Sequence, residues 1–533
     1  GGAIANISSG SFVLNNSVIT GNNASGNGGA IYNTSSGETV LQNILAYGNT
    51  AANGKGGAIY TNANMLISDS NFGVDSDGNT SLNMHNGGQN DIYIEGADTV
   101  LTFNTSDGKT SKINSGIAGN GSVTKVGSGT LELSGSNGSL TGVFAITDGV
   151  VKYVADDAND SFVGGGVQVA GGSKLTLDIS NATGIPAQTI NNIDGYTSEG
   201  IKTSGTIEKT GAGILNLGGD NSGFEGSLTV KNGSLVYKAD DANDKYITGS
   251  TIIGDGTNNA NLTLNIAEGI EGQTIKNISS ASSSVNNKET ITKTGKGSIL
   301  LSGDNSGFYG TATIDEGNLV YSPEKTTDKY FSGNTIINTN GVLETQVANE
   351  TSEGNKLVGQ TIGNISGNGK FLINNEYTDA DTQGRIQLVG TNNFTGLTDI
   401  KSGILAYAND NGNFVSGDVN IQTNGTLEYI TNASGTISNT ITGTGTFNKD
   451  GDEKLTITGD ASAFTGTTNI KEGTLAYDNA SGKFVGGEVN VLGSLDYTST
   501  NAGTISNTIT GTGTFNKDGD EKLTITGDAS AFT

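Results

Sequence analysis

His85 is the only histidine in the chain and Arg385 the only arginine; cysteine and tryptophan are absent. One imidazole suffices for a Ser-His-Asp triad but not for a multi-histidine zinc site, and no thiolate is present to help. His85 lies in LNMHNGGQN, a polar, turn-rich stretch, and is read as a surface residue. SGDNSG at residues 302–307 has the look of a protease serine loop, but Asn305 interrupts it, and GGDNSG from Gly218 fills the same repeat slot. Both are read as turns. ADDAND fills residues 155–160 and 239–244, where clustered carboxylates could hold calcium, which takes six to eight oxygens. Neither EF-hand spacing nor a GGxGxD repeat is present, and the corresponding SPEKTTD at residues 322–328 loses the cluster. A solvated loop is expected there, with no metal and no cofactor. The phrases Gly119-Asn120-Gly121 and Gly127-Ser128-Gly129 lack the following helix that a dinucleotide site requires. NGGAIYN at residues 27–33 also lacks that context, so its glycine pair is read as a corner approached closely by a neighbouring coil, with Ala30 and Ile31 beginning the next strand.

These residues sit in a chain of 533, too long for one ordinary core, so several domains or one repeat array are expected. Glycine is abundant at 84, proline nearly absent at 2, and only 33% of residues are apolar. The formal charge is −26, which repels a phosphate backbone and disfavours nucleic-acid binding and docking on anionic membranes. No apolar run is long enough to span a bilayer as a helix. The lack of cysteine is compatible with export, because disulfide-closed loops would obstruct passage of an unfolded chain. The sequence starts and stops inside repeats and reads as an excised segment.

Internal repeats dominate. GSGTLELSGSNGSLTGVFAITDGVVKY from Gly127, GAGILNLGGDNSGFEGSLTVKNGSLVY from Gly211 and GKGSILLSGDNSGFYGTATIDEGNLVY from Gly295 start 84 residues apart. Asn137, Asn221 and Asn305 align, as do Gly149, Gly233 and Gly317, and Tyr153, Tyr237 and Tyr321. Looser copies follow from Arg385 and Lys454, and Phe224, Phe308, Phe394 and Phe464 share one slot, which is read as core. The 31 residues 435–465 recur unchanged at 503–533. Within the units apolar and polar residues alternate, as in Leu175, Leu177 and Ile179 or Leu262, Leu264 and Ile266, which is the period of a strand with one buried face. The runs are bounded by Gly, Asn, Asp and Ser, and none has a sustained helical period. An all-β chain follows. Units that change length while keeping their phrases favour an elongated parallel β-helix over a string of sandwiches, because whole coils can be gained or lost. With coils of about 20 to 28 residues stacked at roughly 4.8 Å, it would extend on the order of 100 Å.

GGAI at Gly28, Gly29, Ala30 and Ile31 and at Gly56, Gly57, Ala58 and Ile59, with FVLN at residues 12–15, resembles the GGA[ILV] and FxxN tetrapeptides of the chlamydial polymorphic membrane proteins over residues 1–95. From Gly127 to the last residue, G-x-G-x-L-x-L-x-G-x-N-x-x-[FL]-x-G followed by I-x-x-G-x-L is similar to the autotransporter-associated β-strand repeat; residues 96–126 form the junction. Both resemblances imply a passenger segment of a Gram-negative autotransporter: a right-handed, single-stranded parallel β-helix shown outside the cell by a C-terminal outer-membrane β-barrel. The expected role is adhesin or stalk, acting by multivalent contact with a host-cell protein or glycan or with neighbouring bacteria. An enzyme is not expected, since the carboxylates are spread by repeat and Arg385 occupies an ordinary repeat position. A carbohydrate-active β-helix enzyme and a phage-fibre or surface-layer repeat protein are the competing readings.

Overall fold

Alternating apolar and polar residues call for strands buried on one face, and the computed structural model is built from such strands. It describes residues 1–285, 288–348, 359–379, 382–408, 414–430, 433–478, 484–498 and 501–533. Among these there is no helix, and the strands make a parallel β-solenoid of about 20 turns. The chain divides into two compact units, Gly1–Asn265 and Ile266–Thr533.

In the first unit, the strand Lys174–Ile179 shows the rule: Leu175, Leu177 and Ile179 are fully buried while Lys174, Thr176 and Asp178 face outward. Each inward Leu or Ile contributes about 1.5–3 kcal/mol when fully buried. One coil holds only a few, so a coil is stable only between neighbours. The neighbours are set by parallel register. Ile4, Ile31, Ile59, Ile92 and Ile117 form one inward column. Leu131, Val151, Leu175, Ile207 and Leu228 form another. Leu101 pairs with Met65 on one side and Val123 on the other, so the stack runs unbroken from the GGAI coils into the array. Steps between matched positions are 27 and 28 residues in the GGAI coils, then 22 and 21 from Leu101 through Val123 to Phe144. Two antiparallel strand pairs interrupt the parallel order, beside an isolated antiparallel bridge between Val74 and Thr80. One joins Met84–His85 to Gly88–Gln89, and the other joins Ile193–Ser198 to Ile201–Thr203.

The second unit repeats the scheme. Ile291, Ala312, Thr335 and Ile365 share one register, and Leu455, Leu475, Leu495 and Phe515 another. The duplicated segments dock identically: Val419 pairs with Ile441 as Val489 pairs with Ile509, and Leu427 with Phe447 as Leu495 with Phe515.

Candidate functional site

At the GGAI corners the two glycines have different tasks. Gly28 and Gly56 take left-handed backbone, with φ of +70° and +72°. A Cβ on Gly29 would lie 2.0 Å from the Gly57 carbonyl oxygen, so the second glycine admits the neighbouring coil. The amides are already used: Gly28 N–H donates to Lys55 O at 2.9 Å and Gly29 N–H to Gly56 O at 3.0 Å. A phosphate would find no free donor in this pair. Ala30, Ile31, Ala58 and Ile59 are buried; the strand proper runs Ile31–Asn33, with Ala30 N–H already bonded to Ala58 O.

Inside these coils runs an amide ladder. Asn6 Nδ2 donates to Asn33 Oδ1 at 2.9 Å, and Asn33 Nδ2 to Thr61 Oγ1 at 3.0 Å. A second column runs from Asn22 to Asn49 to Asn83, each step 3.0 Å, and ends where Asn83 Nδ2 meets Asp91 Oδ1 at 2.6 Å. Asp91 is fully buried, and desolvation pushes its carboxyl up to about 6 against the pull of donors from Asn83 and Ser115. Outside, Tyr32, Tyr60 and Tyr93 stack in register, with ring centroids 5.2 and 6.1 Å apart and planes within 5°.

The array from residue 122 onward builds its corners differently. Asn137, Asn221 and Asn305 are fully buried. Their Oδ1 atoms accept from the N–H groups of Ile117, Ile193 and Ile278 at 2.9, 2.9 and 3.0 Å, and their Nδ2 atoms donate to corner carbonyls such as Gly135, Gly219 and Gly303. Phe224, Phe308, Phe394 and Phe464 lie fully buried. The ring tips of Phe224, Phe308 and Phe394 would come within 2.6–2.7 Å of a Cβ on the glycine two residues later, which explains the F-x-G spacing.

Two recurring sets escaped the sequence reading. Lys125, Lys209 and Lys293 are buried, with Nζ donating to three corner carbonyls each; for Lys209 these are Thr210, Gly211 and Asn232 at 3.0, 2.6 and 2.9 Å. Burial pushes each of these ammonium groups down to about 8. Lys449 repeats the device, reaching Gly451 O at 2.5 Å. The other set closes the acidic loops: Asp160 Oδ2 accepts from Asp156 and Asp157 N–H at 2.8 and 2.7 Å, and its Oδ1 from Gly135 N–H at 2.7 Å. Asp244 does the same for its loop, and Asp328 accepts from Glu324 and Lys325. Both signals stood in the sequence. The lysines recur at the inward position two residues after Val123, Ile207 and Ile291, and SPEKTTD keeps the last aspartate of ADDAND.

The residues singled out for chemistry lie apart. His85 is half-buried in its hairpin, paired through the backbone with Gly88 and Ala51. In SGDNSG, Ser306 Oγ donates to Asp304 Oδ1 at 2.7 Å, and Ser222 makes the same bond to Asp220 in the earlier copy. These are hydroxyl-closed turns. Arg385 pairs with Glu428 at 2.9 Å. Among the described residues no three His, Cys, Asp or Glu side chains converge to hold a metal. Outward lysines join acids on adjacent coils, as in Lys112–Glu132 at 3.0 Å and Lys152–Asp178 at 3.7 Å. Exposed pairs of this kind contribute about 0–1 kcal/mol each.

A β-solenoid whose recurring buried lysines and asparagines serve its corners belongs to the class of stacked-repeat proteins. Five segments, residues 123–152, 207–236, 291–320, 384–406 and 447–476, match the family described as passenger-associated-transport-repeat. The chain is 28% identical over 165 residues to the adhesin BmaC autotransporter of Brucella suis biovar 1 (strain 1330), covering 27% of this chain and 5% of that protein. It is 27% identical over 323 residues to the uncharacterized lipoprotein YdeK of Escherichia coli (strain K12), covering 59% of this chain and 22% of that one. The chain thus spans less than a quarter of the length of either relative. The repeats and the adhesin relative support an autotransporter passenger domain with repeats.

Proposed function

We propose that this passenger segment is displayed on the bacterial surface and serves as adhesin or stalk through many weak contacts along its coils. The observation that carries the reading is the lysine-held corner that recurs at Lys125, Lys209, Lys293 and Lys449, in four of the five matched repeats. A surface or outer-membrane location and an outer-membrane translocator in the full-length protein follow from the repeat family and are part of the proposal. The expectation that the chain is not an enzyme rests on the same grounds. The test is adherence of the purified segment to host cells, matrix proteins and glycans. Saturable binding supports the adhesin role; binding by another part of the full-length protein, with none by this segment, leaves a stalk. Turnover of any polysaccharide would displace both in favour of an enzyme.

A further inference from the structure

One face of the second unit carries a groove of about 560 Å³, and no charged side chain is among the described residues that line it. Register shows how it is built. Thr290, Thr311 and Asn334 stand in one outward column, and Ile336, Ser366 and Asn393 stand in the next. Asn334 and Ile336 flank the inward Thr335 on one strand, so the two columns run side by side. Asn364 directly precedes Ile365, the register partner of Thr335, and so extends the first column. In the coil after it, the Thr391 N–H donates to Asn364 Oδ1 at 3.2 Å. The groove therefore crosses five successive coils, a length of about 19 Å at the usual strand spacing. Its polar groups are not spent on the fold. The side-chain amides of Asn334 and Asn393 and the hydroxyl of Thr391 have no hydrogen-bond partner among the described residues. Half-buried Ile336 puts an apolar patch among them. Other outward positions of this unit are spent on ion pairs across coils, such as Lys370–Asp399 at 2.7 Å and Lys454–Asp496 at 3.3 Å.

We propose that this groove binds an extended, neutral chain of pyranose sugars laid along the stack, one sugar to a coil. The inference rests on the adhesion reading above and gives it a ligand class and a place. In an extended glycan each linked pyranose advances the chain by about 5 Å, close to the spacing of the coils. Successive sugars therefore keep step with successive rows of side chains. Amide and hydroxyl groups both donate and accept, which suits the hydroxyl rim of a sugar, and Ile336 offers a surface for an apolar C–H face. Each contact is weak, and linking the sugars makes the contacts combine. Neutrality follows from the uncharged lining and from the chain's charge of −26, which disfavours acidic sugars.

The test uses the full 533-residue chain with cellobiose, cellotetraose, chitobiose and chitotetraose as neutral probes and tetragalacturonate as the anionic one, read by titration and saturation-transfer NMR. At least one neutral series is expected to bind, with affinity rising at least tenfold from disaccharide to tetrasaccharide. Asn334→Ala combined with Asn393→Ala should weaken the tetrasaccharide at least tenfold. Ile336→Thr repeats the residue that precedes it in register, Thr313, so it should keep the melting temperature while weakening the tetrasaccharide several-fold. Binding of no neutral probe, affinity that ignores chain length, tighter binding of tetragalacturonate, or undiminished binding by these variants overturns the proposal. Adherence to cells by a chain that binds none of the sugars refutes the groove and leaves the adhesion reading standing. Sugar binding lost in the variants, by a chain that adheres to no cell or matrix, supports the groove and refutes the adhesion reading.

Discussion

The GGAI coils and the array that follows stack the same kind of strand with opposite corner chemistry. In the first region the corner is made by subtraction: Gly28 supplies a left-handed φ, Gly29 removes a side chain, and backbone amides reach the next coil directly. In the array the corner is made by addition, with the ammonium of Lys125, Lys209 or Lys293 inserted among three carbonyls and an asparagine tying the turn to the coil before it. The polar interiors differ to match, as neutral amides hand hydrogen bonds along the GGAI coils while the array buries the ammonium groups of Lys125, Lys209, Lys293 and Lys449. A solenoid therefore needs only that each corner satisfy its carbonyls and amides. How it does so is free to change within one continuous stack.

The largest effect should come from filling a corner that depends on emptiness. Gly29→Ala places a methyl carbon 2.0 Å from the Gly57 carbonyl oxygen, a backbone atom that can yield only if the coils part. A loss of roughly 3 kcal/mol or more is expected for the coils around it. Hydrogen exchange should report it as local opening near residues 28–60, because solenoid repeats need not unfold as one unit. Lys209→Met comes second. It leaves the carbonyls of Thr210, Gly211 and Asn232 without the ammonium, at about 2–3 kcal/mol, while its methylene stem is still filled. If exchange at residues 209–213 is unchanged in that variant, the lysine clip does not hold the corner.

The two regions should also respond to pH in opposite senses. Asp91 has a folded pKa near 6, above the unfolded 3.8, so between those values the folded state holds more protons and stability falls as pH rises. Lys125, Lys209 and Lys293 have folded values near 8, below the unfolded 10.5, so the unfolded state holds more protons and the array gains stability as pH rises from 8 toward 10. Above that, burial raises the hydroxyls of Tyr153 and Tyr237, which act in the other direction. Region-resolved exchange at pH 4, 6, 8 and 10 checks both slopes. Asp91→Asn should flatten the first and Lys209→Met should reduce the second.

The strands and their stacking were legible in the sequence because period-two alternation and repeat spacing both register inward positions. The F-x-G slot and the GGAI pair were legible as core and corner for the same reason. The lysine clip was not, although alternation puts Lys209 on the same face as Ile207. Lysine is by default an exposed residue, and the three carbonyls that compensate for its burial belong to turns whose direction no side-chain pattern displays. The acidic loops read as solvated turns, and composition alone does not display that one aspartate of each closes the turn with backbone donors. The His85 hairpin depends on which coils lie next to each other, and that is settled by register.

The smallest expected difference lies within the array itself. In the 84-residue units Tyr153 Oη donates to Gln188 Oε1 at 2.9 Å, and Tyr321 Oη donates to Gln360 Oε1. Gln188 and Gln360 each stand in a QTI phrase, which becomes GTI at Gly435 and Gly503 in the shorter units. Tyr477 is equally buried there, but its hydroxyl has no hydrogen-bond partner among the described residues. Tyr153→Phe should therefore cost up to about 1 kcal/mol by taking one of two donors from the Gln188 carbonyl, which keeps the Phe162 N–H at 3.1 Å, whereas Tyr477→Phe should change stability by less than about 0.5 kcal/mol or raise it. The sharper variant is Tyr153→Phe combined with Gln188→Leu, which removes both ends of the bond. If the short units descend the same physical path, with the glutamine lost once the bond was dispensable, the double variant should recover most of the loss of the single one. A cost that instead adds would mean that Gln188 holds the turn independently of the tyrosine, through its bonds from Nε2 to Asp160 O and Pro186 O and the Phe162 N–H that its Oε1 accepts.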